Sequence, residues 1–229
     1  MSFTGFTQET EQFFWGIRLN NNRQWFQAHK EAYQTYAYTP MKELCSQVQA
    51  EFLARHPELE LNARVTRIYR DMRLVRDGRL YKDHLWFTLY PPKDEEGIPH
   101  AELYFGVEPE GYGLGVGYYW MPPAMMECWR SKLLAEPKRV EALTRRLQER
   151  PEFQIDGEEY KRPKGQVSPG LAPWYNRKNV SLWAGRSYQD GLCSTPALVD
   201  NVLECFEWLM PYYRFFRELE TEFAALGGR

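Results

Sequence analysis

Three observations place this chain in the α+β class, as an antiparallel meander sheet packed with N-terminal and C-terminal helices. Apolar residues recur at helical spacing through residues 6–52, alternate with period two between residues 84 and 119, and return to helical spacing beyond about residue 123. No Gly/Ser-rich or Pro-rich linker and no internal repeat divides the 229 residues, which are expected to form a single domain, 1–229.

The elements follow in order. Phe6, Thr10, Phe13, Phe14 and Ile17 make one helical stripe, with Thr7 or Thr4 available as the cap. Asn20-Asn21-Asn22 breaks the chain, and any of the three can cap a second helix carrying Trp25, Phe26, His29, Tyr33 and Tyr36. Pro40 suits the first turn of a third, with Met41, Leu44, Val48 and Phe52, ending before His56-Pro57. Residues 84–90, 101–107 and 112–119 alternate in strand fashion and are joined by short polar turns, which predicts consecutive antiparallel strands with Leu85, Phe87 and Leu89 buried together. Residues 67–74 are expected to add a further strand. Pro123 and Pro137 open helices over about 123–135 and 138–149, residues 152–194 read as irregular with short strands, and Thr195-Pro196 starts a closing helix that Pro211 kinks or restarts.

Aromatic residues are abundant, with 8 Trp, 15 Tyr and 13 Phe, so the core is built from Leu and large rings whose polar tips need partners when buried. No apolar run reaches the ~18 residues a membrane span needs. Glu9, Glu11 and Arg18 interrupt the opening segment, which carries no secretory h-region. Cys45, Cys128, Cys193 and Cys205 show no paired spacing, and the expectation is a reduced, cytoplasmic protein.

The net charge of −2 hides two basic islands. Residues 61–90 carry seven basic groups against Asp71, Asp77 and Asp83; residues 161–189 carry six and no acid. Everything else is net acidic. A localised anion site suits this distribution better than a face that coats nucleic acid.

In the first island an Arg stands at every third position from Arg64 to Arg79. On a strand, Arg67, Tyr69, Asp71 and Arg73 would share one face, and Ile68, Arg70 and Met72 the other. The like charges repel unless an anion lies between them, and Arg70 among apolar neighbours needs a buried acid or a ligand. A structural salt-bridge lattice explains the same pattern about as well. In the second island, Lys161 and Lys164 flank a loop around Pro163 and Gly165. Gly111, Gly113, Gly115 and Gly117 leave one strand face bare without forming a phosphate-loop spacing; a helix or a ring such as Trp120 is the favoured occupant. His29, His56, His84 and His100 have no metal-ligand spacing, Ser181 lacks a nucleophile-elbow frame, and Cys128 near Arg130 has no motif, so neither a metal nor a cofactor is expected.

The run Asn20-Asn-Asn-Arg23-Gln-Trp25-Phe26 with Lys30 and Tyr33, the run Arg67-Ile-Tyr-Arg70-Asp71-Met-Arg73, and Tyr81-Lys82 together resemble the domain of unknown function 2461 family. The Gly/Tyr strand 112–119 and Lys161-Arg162-Pro163-Lys164-Gly165 are similar to later family features. This chain has Leu74 and Arg79-Leu80 where the family usually carries Phe and a Lys-Ser/Thr-Pro stretch. The resemblance implies a stand-alone soluble domain of bacteria and fungi, and it brings no established activity or catalytic residue.

The leading expectation is a protein that binds a small anionic ligand, phosphate- or carboxylate-bearing, between the two basic segments through Arg67, Arg70, Arg73, Tyr81, Lys82, Lys161 and Lys164. If it is an enzyme, Asp71 is the candidate general base, with Arg67, Arg73 and Lys82 stabilising developing negative charge. The alternative is a non-catalytic protein-interaction module. Single-stranded nucleic-acid binding ranks third, because the acidic remainder would repel a long polymer. The oligomeric state is left open.

Overall fold

A computed structural model describes residues 2–71, 73, 75–92 and 97–228. It contains helices α1 (Gln8–Leu19), α2 (Arg23–Ala28), α3 (Lys30–Ala32), α4 (Thr39–Arg55), α5 (Pro123–Ala135), α6 (Pro137–Arg146), α7 (Ala172–Tyr175) and α8 (Leu198–Ala225). The strands are β1 (Asn62–Val65), β2 (Leu85–Tyr90), β3 (Glu102–Glu108), β4 (Gly111–Gly117), β5 (Gln154–Asp156) and β6 (Ser181–Arg186). They form one antiparallel sheet in the order β1-β2-β3-β4-β6-β5. The α+β architecture and the meander of β2, β3 and β4 agree with the period-two alternation, and Leu85, Phe87 and Leu89 are fully buried.

The chain divides into two compact units. Residues 1–89, 104–114 and 185–205 make the first. Thr7 caps α1 and its N–H donates to the Thr10 hydroxyl; Phe13, Phe14 and Ile17 are buried on that helix. Asn22 caps α2, accepting from the Trp25 N–H at 2.9 Å. The single second helix expected from the stripe does not form. The chain runs instead through two short α pieces and a π-helical turn, Tyr33–Tyr38. Such a turn loosens the carbonyl ladder, and the Thr10 hydroxyl donates to the Tyr36 carbonyl at 2.5 Å. Met41, Leu44, Val48 and Phe52 then face the core from α4.

Residues 90–103, 115–184 and 206–229 make the second unit. Its core is a cluster of rings: Trp129 meets Trp174, Phe215 and Phe216 edge-on or tilted. The polar tips are satisfied, with Trp129 Nε1–H donating to the Trp174 carbonyl at 3.1 Å, Trp174 Nε1–H to Thr144 Oγ1 at 2.8 Å, and the Tyr212 hydroxyl to the Leu143 carbonyl at 2.9 Å. The aromatic excess here is packing. Pro211 lies inside α8, which continues through it as one helix of 28 residues. Among the described residues no helix is long and apolar enough to cross a membrane.

Two local expectations are corrected. Residues 67–71 do not form a strand; only Tyr69 pairs, by an isolated antiparallel bridge to Tyr81. Met72 and Leu74, also assigned to that strand, lie outside the described residues. At Gly111 and Gly117, the two ends of the glycine strand, backbone rather than a helix or Trp120 makes the close approach: a Cβ at Gly111 would sit 2.0 Å from the Arg186 carbonyl oxygen, and one at Gly117 would sit 2.4 Å from Ser181 Cα. Trp120 is 59% exposed.

Candidate functional site

In the first unit, the segments that carry the family resemblance pack on one another. The Asn21 side chain clamps the Tyr81 backbone from both sides: its amide donates to the Tyr81 carbonyl and its Oδ1 accepts from the Tyr81 N–H, each at 2.9 Å. Phe26 stacks on the Tyr81 ring at 4.3 Å between centroids, and Tyr69 meets Phe26 edge-on. Backbone bonds from Arg70 N–H to Leu80 and from Lys82 N–H to Ile68 close a short irregular hairpin. Tyr81 is thus buried in a ring cluster as an anchor, and burial raises its phenol pKa.

Lys82, next to that anchor, is half-buried. Its Nζ lies 5.4 Å from the centre of the Trp86 ring, and His84 stacks on the same indole at 4.7 Å and 24°. Thr66 fixes Trp86 through its backbone N–H to the Trp86 carbonyl at 2.8 Å, and Gly106 on β3 leaves room, since a Cβ there would stand 3.1 Å from Trp86 Cβ. On β1, Arg64 Nε–H donates to Thr88 Oγ1 at 3.2 Å.

The electrostatics of this patch are one-sided. Burial lowers the Lys82 pKa first, and the positive charges of Arg67 and Arg64 lower it further. Among the described residues neither Lys82 nor Arg67 makes a hydrogen bond or ion pair with a carboxylate, although Arg67 is close enough to Asp71 to favour its ionised form. Burial lowers the His84 pKa, against the pull of Asp83, whose Oδ1 lies 3.1 Å from His84 Nδ1. A half-desolvated ammonium flanked by guanidinium groups, beside an aromatic plate, is a place where an added anion lowers the energy.

The other two arginines of the segment are committed elsewhere. Arg70 Nη1 donates to both Asp77 carboxylate oxygens at 2.8 and 2.9 Å, and it does not share an apolar face with Ile68 because no regular strand imposes that alternation. Arg73 donates from Nε and Nη2 to Asp71 at 2.9 and 2.6 Å while its side chain stays 87% exposed. The same contacts pull Asp71 down to about 2, chiefly through the Arg73 hydrogen bond. A carboxylate so acidic is a weak base at neutral pH, which suits ion pairing rather than proton abstraction. The two accounts of the arginine cluster therefore divide it: Arg70 and Arg73 are paired, and Arg67 is left with Lys82.

Lys161 and Lys164 belong to the second unit and are exposed. Lys164 Nζ sits 4.7 Å from the centre of the Tyr160 ring, and its backbone N–H donates to Asn176 Oδ1 at 2.7 Å. Arg64, His84 and Trp86 were not among the residues expected at a site, although the alternation of β2 already set His84 and Trp86 on the face opposite Leu85 and Phe87.

The family described as a conserved hypothetical protein (DUF2461) matches residues 9–215, so the chain belongs to that family. No curated protein matches the chain.

Proposed function

We propose that this protein binds a small anionic ligand, phosphate- or carboxylate-bearing, at Lys82, Arg67 and Arg64, with Trp86 as a wall of the site. The observation that carries this is Lys82, half-buried, flanked by arginines and without a carboxylate partner among the described residues. Guanidinium forks match carboxylate and phosphoryl oxygens, and the ammonium adds a point charge. Asp71 has no role in the proposal, which is one of binding. Cytoplasmic placement belongs to the same reading: Cys45, Cys128 and Cys193 are buried thiols, as suits a reducing compartment.

A thermal-shift panel of phosphorylated and carboxylated metabolites tests it. A ligand at about 100 times its Kd adds roughly 2.7 kcal/mol, which at this chain length is a rise of about 5–11 °C. No shift with any member of the panel, together with salt-steep binding of oligonucleotides, would replace the proposal with the nucleic-acid reading. A concentration-dependent mass with no shift would favour the interaction module, for which the adjacent exposed rings Tyr119 (87%) and Trp120 (59%) are the supporting feature.

A further inference from the structure

We infer that the second unit carries its own site for a compact oxyanion, phosphate or the phosphoryl group of a small molecule, built from Arg130, Lys164 and Lys178 around the ring of Tyr160. Arg130 lies on α5 and is only 4% exposed. Its Nε and Nη2 donate to Glu127 at 3.2 and 2.6 Å, while its Nη1 is buried with no hydrogen-bond partner. An orphaned N–H on a buried guanidinium is costly, and an acceptor oxygen delivered there would recover that cost.

The surroundings supply the rest of an anion site. The Arg130 guanidinium carbon stands 5.8 Å from the Tyr160 ring centre, and Lys164 and Lys178 approach the same ring at 4.7 and 6.0 Å. Three cations on one phenol ring repel one another. Glu127 answers Arg130, and Glu158 answers Lys178, but both acids are largely exposed. Lys164 makes no ion pair among the described residues and shares only the charge of Glu127, which Arg130 already holds. Asn176 holds the loop that carries Tyr160 and Lys164, its carbonyl accepting from Tyr160 N–H at 2.9 Å and its side chain from Lys164 N–H. The loop residues 161–164 are exposed and Tyr160 is half-buried, so a ligand approaches Arg130 from the side of this loop. Three cationic donors gathered around one ring can meet the three terminal oxygens of a phosphoryl group, where a carboxylate offers only two.

The site shares no residue with the Lys82 site, and the test uses that. Inorganic phosphate is titrated calorimetrically into the full chain carrying Lys82→Met at fixed ionic strength, with sulfate and glycerol phosphate in parallel. The expected result is one saturable phosphate site that survives Lys82→Met and weakens about tenfold or more in the added double variant Lys164→Met/Lys178→Met, whose positions are at the surface. Tighter binding of glycerol phosphate than of inorganic phosphate would identify a small phosphomonoester as the ligand; the reverse order would identify free phosphate. Absence of saturable phosphate binding in the Lys82→Met protein, or an isotherm that Lys164→Met/Lys178→Met leaves unchanged, overturns the inference. A wild-type chain whose binding is wholly lost on Lys82→Met would do so while supporting the Lys82 site.

Discussion

Replacing Glu220 with Ala is expected to cost about 2–4 kcal/mol of stability, a fall in Tm of roughly 4–16 °C at about 2–4 °C per kcal/mol. Glu220 is 4% exposed on α8 and collects donors from several segments of the second unit. Its Oε1 accepts from the Ala101 N–H at 2.7 Å and from the Tyr118 hydroxyl at 3.1 Å. Its Oε2 lies 2.7 Å from His100 Nδ1 and accepts from Arg217 Nη1. Arg217 is itself more than a third exposed, so water partly compensates its loss. The cost arises mainly at the Ala101 N–H, a buried donor worth about 1–3 kcal/mol when left unmet; the Tyr118 hydroxyl still has the Phe216 carbonyl, 2.9 Å away, to donate to. Glu220→Gln keeps an acceptor for both and should restore most of the loss. Urea titration of the three proteins measures this; an alanine variant within about 1 kcal/mol of wild type would contradict it.

Gly117→Ala is the second large effect, expected at roughly 2–5 kcal/mol from overpacking and backbone strain together. The residue has φ +149°, and a Cβ would be 2.4 Å from Ser181 Cα and 2.7 Å from the Val180 carbonyl oxygen. Those neighbours are backbone or close to it, so no rotamer change relieves the overlap. Gly191 is the matched control: its φ is +71° and nothing lies within 4 Å of the added carbon. Gly191→Ala should cost only the left-handed conformation, about 1 kcal/mol. Equal losses at the two positions would show that close approach between β4 and the segment before and into β6 is not what demands glycine.

What could be read in advance was local. The helical stripe of α1, the caps at Thr7 and Asn22, the prolines opening α5 and α6, and the alternation of β2 to β4 depend on neighbours within a few residues. The π-helical turn at Tyr33–Tyr38 escaped because it is tied to Thr10, distant in sequence. The strand expected at 67–74 failed because Asp71 and Asp77 capture Arg73 and Arg70 in short-range ion pairs that need no sheet. In the candidate site, Lys82 and Arg67 were named from charge spacing alone, but nothing local distinguished Arg67 from its two paired neighbours. Arg130 was hidden more deeply, as one more charge on a helix whose burial follows only from packing.

The most direct test of the central claim compares wild type, Lys82→Met and Arg70→Ala by thermal unfolding, with and without an anion found to shift the wild type. Because the folded state lowers the Lys82 pKa, the folded chain holds that proton less tightly than the unfolded one. The resulting penalty is fully present below the folded pKa and fades as pH rises toward the ordinary lysine value. Met keeps the apolar stem beside Trp86 and removes the charge. The account predicts that Lys82→Met melts a few degrees above wild type at neutral pH, that this advantage shrinks at alkaline pH, and that the variant loses the response to the anion, while Arg70→Ala retains it. A Lys82→Met protein that melts lower and still responds fully to the anion would contradict it.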